Sequence, residues 1–201
     1  MITMDLKIIF MLVACVVYAS AHQQQEPAAT VTLKTYGFGS SCYPKCIKYE
    51  VYCQQDDDDH PYQQKANAVC RSRFIRGGPR GRLAVLNNAY VDGEIRDLIK
   101  SNRLHKKKCI KNHGFFIGLS DSGRWREGKY DWVNGDRIGQ NDYQNWARGQ
   151  PDNDNKQDEL GQDCVQLWFR NGNRGKWDDE YCNFRPKGFV CEVPDNHCST
   201  L

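Results

Sequence analysis

Asn145-Trp146-Ala147-Arg148-Gly149-Gln150-Pro151-Asp152 lies within the longest irregular part of the sequence, the polar stretch from Asn134 to Asp163. No helical or strand period runs through that stretch. A loop of such length inside a compact domain usually carries function. The segments around it are short and rich in aromatic and β-branched residues, which predicts strands at Phe115–Leu119, Tyr130–Val133, Val165–Phe169 and Gly188–Cys191. Further upstream, Val91, Ile95, Leu98 and Ile99 fall at i, i+4, i+7 and i+8, the stripe of an amphipathic helix. Pro61 to Arg73 predicts a shorter helix, led by Asp56-Asp57-Asp58-Asp59, whose carboxylates suit the positive end of a helix dipole. Arg76-Gly77-Gly78-Pro79-Arg80-Gly81 ends it. Ile47–Tyr52 and Leu83–Leu86 predict two more strands. The chain reads as an α+β domain: two helices, an antiparallel sheet and one large loop.

The chain has 201 residues, enough for one domain with a core of its own. Hydrophobic residues at 39% and five Trp rule out wholly disordered and collagen-like chains. A net charge of +3, from 28 basic and 25 acidic residues, is too balanced for a nucleic-acid binder. Basic residues do cluster at Arg71–Arg82 and Arg103–Lys111, and both clusters read as solvated faces. Lys7, the apolar run Ile8–Val17 and Ala19-Ser20-Ala21 predict a signal peptide over residues 1–21. The run is shorter than the ~20 residues a bilayer requires, so a secreted protein without a membrane anchor is expected. Residues 22–41, with three consecutive Gln and then a Gly-rich stretch, read as a flexible N-terminal arm. The domain proper is expected over 42–193, with a C-terminal tail over 194–201. No Asn-x-Ser/Thr triplet occurs, so N-glycosylation is not expected.

Ten cysteines are too many for an ordinary reduced protein. Cys15 leaves with the signal, and nine remain. No Cys-x-x-Cys pair is present and the histidines are scattered, so disulfides explain the cysteines better than zinc. Several short motifs follow one another in order. Cys42 and Cys53 are separated by ten residues, and Cys70 follows Ala66. Then come Phe116-Ile117-Gly118-Leu119, Trp132-Val133-Asn134-Gly135, the Asn145–Asp152 run, Asp163-Cys164-Val165 and Trp177-Asp178-Asp179-Glu180-Tyr181-Cys182. In this order and spacing they resemble a long-form C-type lectin-like domain of the Gln-Pro-Asp type.

The resemblance implies two helices packed on antiparallel sheets, with a long calcium- and sugar-binding loop. It implies the disulfides Cys42–Cys53, Cys70–Cys191 and Cys164–Cys182. The second would close a loop of about 120 residues, where cross-linking stabilises by ~2–5 kcal/mol in the chain-entropy model. It assigns calcium to Gln150, Asp152, Asp178 and Asp179, where two sugar hydroxyls complete the coordination. Calcium takes six to eight oxygens, and a cis peptide before Pro151 would aim Gln150 and Asp152 the same way. Gln162 stands where the family has Glu and is carried into the calcium-ligand set as a poorer, neutral ligand, with Asp154, Asp158 or Glu159 in the lengthened loop as a replacement for the missing carboxylate. An auxiliary calcium site maps to Asp121, Glu127 and Asp163. In the family, Gln-Pro-Asp accompanies galactose-type sugars. Trp132, Trp146, Trp168 and Trp177 are expected in the core, since large aromatics dominate burial in small domains.

The function so implied is a secreted, calcium-dependent lectin for glycans or glycoproteins. The alternative is an extracellular or biomineral matrix protein that uses the same fold for protein or mineral contacts. No Ser/His/Asp or Cys/His constellation stands out, so an enzyme is not expected. Cys46, Cys109 and Cys198 are left over. Cys46 and Cys198 are expected to meet, and Cys109, among lysines that favour thiolate, predicts a disulfide-linked homodimer. A buried free thiol or a Cys46–Cys109 bond are the alternatives.

Overall fold

The computed structural model describes residues 26–35, 45–53, 62–74, 79–106, 109–110, 114–121, 127–159, 161–183 and 186–195. The expected signal peptide, the Asp56–Asp59 run, Cys42 and Cys198 lie outside the described residues. Among the described residues, no helix is long and apolar enough to cross a membrane.

The first strand, β1 (Ala29–Thr35), corrects the expected flexible arm. It pairs antiparallel with β2 (Lys45–Tyr52) from Ala29↔Val51 to Thr35↔Lys45. Ala29, Val31 and Leu33 alternate with Thr30 and Thr32, so one face packs on the core and the other meets water. Helix α1 (Gln63–Ser72) buries Ala66 and Cys70, one turn apart. After β3 (Arg82–Leu83), α2 (Ala89–Ser101) buries the stripe Val91, Ile95 and Ile99. Its N-cap is Asn88, whose side chain accepts from Val91 N at 2.9 Å.

The remaining strands are β4 (Gly114–Ser120), β5 (Asp131–Trp132), β6 (Cys164–Trp168), β7 (Lys176–Glu180) and β8 (Gly188–Asp195). The sheet order is β1-β2-β8-β4-β6-β7, with β3 on β8 and β5 on β4. The sheet is mixed rather than antiparallel throughout, because β4 and β8 run parallel. β8 also extends to Asp195, two residues into the expected tail, through the pairs Ile47↔Pro194 and Cys46↔Asp195. β4 is buried on both faces. Phe115, Ile117 and Leu119 join α2 and β7 in the larger core, while Phe116 joins Ala66 and Cys70 of α1 in the smaller.

Disulfides join Cys70 to Cys191 and Cys164 to Cys182, as the resemblance implied. The third is a correction: Cys53 bonds Cys109, with Cα atoms 4.7 Å apart, and not Cys42. The chain leaving α2 turns back over the end of β2, where Cys109 and Ile110 are buried. Cys109 is therefore no surface thiol, and the dimer expected through it is corrected as well. Cys46 is disulfide-bonded too.

Glu50 of β2 is almost fully buried and accepts from Arg73 Nε at 2.9 Å and Tyr52 Oη at 2.8 Å, with Lys48 Nζ at 2.8 Å. Burial pushes its carboxyl up, but Arg73, Lys48 and Tyr52 together outweigh it and hold the pKa below the usual range. A depressed carboxylate stabilises at neutral pH and loses that contribution as pH falls through its folded pKa. Glu50→Gln should therefore cost ~1–3 kcal/mol at pH 7. Urea melts should show the gap from wild type narrowing as the solution is acidified below the Glu50 pKa.

Candidate functional site

The long loop has few apolar residues, so its position depends on anchors. The main one is Trp177 of β7, fully buried. Trp132, Tyr143 and Trp146 each meet its indole edge-on, with ring centroids 5.6 to 5.7 Å away. Trp177 N donates to Asn145 O at 2.7 Å, and Ala147 N donates back to Trp177 O at 2.7 Å, which adds the loop to the edge of β7. Of the four tryptophans expected in the core, Trp132 and Trp177 are buried, while Trp146 and Trp168 are half-buried.

Asp92 of α2 completes this anchor and was not expected. Its carboxylate is fully buried. Oδ1 accepts from Trp177 Nε1 at 2.9 Å, and Oδ2 from Arg96 Nε, Tyr143 Oη and Asn145 Nδ2 at 2.7 to 2.9 Å. One side chain thus ties the helix, the loop and β7 together. The sequence offered only the Asp92–Arg96 spacing, which reads as an exposed i,i+4 pair.

Beyond Ala147 the loop reaches a cis peptide between Gln150 and Pro151, as the resemblance implied. Asp179 receives the next two backbone N–H groups, Asp152 N on Oδ1 at 3.1 Å and Asn153 N on Oδ2 at 2.7 Å. Asn153 Oδ1 accepts from Gln162 N at 2.7 Å, and Gln162 Oε1 from Asp154 N at 3.0 Å. These bonds close residues 153–162 on themselves, and Gln162 serves as a brace between backbone strands. Gly161 sits at φ +85°, and a Cβ there would collide with the Asn153 amide. Asp154 pairs with Lys156 at 3.0 Å, and Asp158 and Glu159 are exposed.

The expected ligands Asp178 and Asp179 are consecutive on β7, so their side chains leave opposite faces. Asp179 faces the loop with Trp177. Asp178 accepts from Gln166 Nε2 at 2.7 Å, on the face that also carries Glu180 and its ion pair with Lys187. The structure therefore brings Asp179 to Asp152 and Asn153, and holds Asp178 behind them. Among the described residues, no group of three acidic, His or Cys side chains is already closed around a cation position. Burial raises both Asp178, to about 7, and Asp179.

The oxygen donors nonetheless suit a hard cation. Gln150 Oε1 and Asp121 Oδ1 are buried acceptors without a hydrogen-bond partner, one in each expected calcium site. Around Asp121, the expected trio comes within electrostatic reach. Asp121 N donates to Asp163 O at 3.0 Å, and Gly128 N to Asp121 Oδ2 at 2.8 Å. Burial, then the charges of Glu127 and Asp163, raise Asp121 to about 6, although the Gly128 bond opposes the shift. Burial, then Glu127 and Asp158, raise Asp163. Such a set of mutually repelling carboxylates favours a divalent cation.

The chain matches the family model for the lectin C-type domain over residues 60–193, and it belongs to that family. C-type lectin domains are binding modules rather than enzymes. A perlucin-like protein from Mytilus galloprovincialis is 29% identical over 144 residues, covering 72% of this chain and 78% of that protein. Human asialoglycoprotein receptor 2 is 35% identical over 113 residues, but those residues cover 53% of this chain and 33% of the receptor. Among solved structures, CEL-IV shares the fold at a TM-score of 0.55 and 20% identity, over 83% of this chain and 95% of that one.

The Asp92 anchor gives a direct test. Asp92→Ala leaves four donors without their acceptor, and breaking a buried charged pair costs about 3–5 kcal/mol. Thermal unfolding should register that loss, and amide exchange at residues 143–147 should accelerate.

Proposed function

We propose that this domain is a calcium-dependent lectin that takes galactose-type sugars at the Gln150–Asp152 segment. The observation that carries the reading is the buried, unpartnered Gln150 Oε1, two residues before Asp152, whose backbone N–H donates to Asp179. A buried carbonyl oxygen without a donor costs about 1–3 kcal/mol, and a bound cation removes that cost. Gln150, Asp152 and Asp179 would hold the ion, which supplies open coordination positions for two neighbouring sugar hydroxyls. Asp178 contributes charge from the opposite face and keeps β7 bonded to β6 through Gln166. Asp121, Glu127 and Asp163 would hold an auxiliary ion.

This chain's own side chains set the sugar preference. The Gln150 amide both donates and accepts, whereas the Asp152 carboxylate only accepts. Each fixes the direction in which a sugar hydroxyl points its proton. The resemblance to Gln-Pro-Asp lectins supports the galactose type. The disulfides and the signal-like residues 1–21 support action outside the cell on glycans or glycoproteins.

Retention on galactose-agarose in calcium, with elution by EDTA, tests the reading; calcium-insensitive retention or none would count against it. EDTA should also lower the Tm, because the carboxylates then repel one another without a cation. Asp121→Asn sharpens this: it should stabilise the protein in EDTA, by relieving repulsion, yet lose to wild type in calcium. Gln150→Glu with Asp152→Asn exchanges donor and acceptor positions and should shift preference on a glycan array from galactose to mannose.

A further inference from the structure

The end of α2 and the β6–β7 hairpin border a separate, open cavity of about 300 Å³, lined by Lys100, His105, Phe169, Gly172 and Arg174. None of these residues belongs to the loop site. Three of the five lining residues are basic and none is acidic. A cavity of this size lies at the small end for ligand pockets and has room for about ten waters, or one substituted ring.

A helix C-terminus usually disfavours anions through its exposed carbonyls. Here three of the last four carbonyls are occupied. Leu98 O accepts from Asn102 N, Asn102 Nδ2 and Ser101 Oγ, Ile99 O from Leu104 N, and Lys100 O from Arg103 N. Lys100 Nζ also pairs with Asp97 Oδ1 at 3.3 Å, an exposed and therefore weak pair; against Lys100 and Arg174 it is one carboxylate, so the local charge stays positive. The His105 ring stacks on Phe169 with centroids 5.7 Å apart, and Phe115 fixes Phe169 edge-on at 5.9 Å. The His105 ring lines the cavity beside this aromatic wall, with its Nδ1 buried and without a hydrogen-bond partner. Arg174 stands at φ +53° in the hairpin and lines the cavity from that side.

We propose that this cavity binds an acidic sugar residue. Lys100, His105 and Arg174 hold its sulfate or carboxylate, and the apolar face of the ring lies on Phe169. The pairing follows the chemistry of each wall. Cations offer charge-assisted hydrogen bonds to oxyanions, and an aromatic face accepts the C–H side of a ring. The site requires no calcium, so it stands apart from the reading of the loop.

Calorimetric titration of the full chain in EDTA, which silences calcium-dependent binding, tests it. The probes are N-acetylglucosamine 6-sulfate, glucuronic acid, N-acetylglucosamine and inorganic sulfate. Both acidic sugars should bind at least about tenfold tighter than the neutral sugar or free sulfate. Lys100→Gln and Arg174→Asn, the latter chosen because Asn tolerates positive φ, should each weaken binding about tenfold. Arg80→Gln, an exposed cation in the Arg71–Arg82 cluster, should leave it unchanged. Inorganic sulfate binding as tightly as the sulfated sugar would overturn the proposal. So would an equal loss in Arg80→Gln, or unchanged affinity in both pocket variants with native near-UV circular dichroism.

Discussion

The bond from Trp177 Nε1 to the buried Asp92 carboxylate is the contact on which the loop's position depends. A polar loop cannot hold itself against water by apolar burial. It needs donors and acceptors whose own positions are fixed, and a few rings large enough to exclude solvent around them. Trp177 supplies the ring and Asp92 the acceptor. Each is held by regular structure, one by β7 and the other by α2. Tyr143 and Asn145 then attach the loop to the same carboxylate, and a missing acceptor would leave all four donors exposed to the same penalty.

That anchor permits the crowding of negative charge nearby. Burial raises the pKa of Asp121, Asp163, Asp178 and Asp179 together. Each would be cheaper in water, and the fold keeps them from it. The disulfide between Cys164 and Cys182 ties the start of β6, next to Asp163, to the residues just past β7, which carries Asp178 and Asp179. Rigid covalent and aromatic supports therefore oppose the electrostatic repulsion, which is the arrangement expected of a site preorganised for a cation.

The loop motif was legible because its chemistry is local: Gln150, Pro151 and Asp152 are contiguous, and the cis peptide needs only the proline. The α2 stripe was legible because its period is local as well. What escaped depended on distant partners. Ala-Thr-Val-Thr-Leu-Lys-Thr over 29–35 alternates like a strand, yet its neighbours are Gln-rich on one side and Gly-rich on the other, and the flanks decided the reading. The parallel register of β4 and β8 leaves no mark in either strand. Cys53 met Cys109 because the chain doubles back after α2, and no spacing rule encodes that return. Asp92 was not singled out because only its i,i+4 partner Arg96 is local, while its other three partners lie more than fifty residues away in sequence.

The separation of Asp178 from Asp179 turns on one further constraint, the register of β6 against β7. The pairs Val165↔Asp179 and Gln166↔Asp178 place Trp177 and Asp179 toward the loop. A slip of one residue would send both to the other face and bring Asp178 and Glu180 in their place. The hairpin prevents this. Asn171, Gly172, Arg174 and Gly175 all adopt positive φ, and a Cβ at Gly175 would strike the Phe169 ring and the Arg96 stem. So strained a turn has few alternative lengths. The same Arg96 donates to Asp92, so the turn that sets which carboxylate faces the loop is packed against the helix that holds the loop in place.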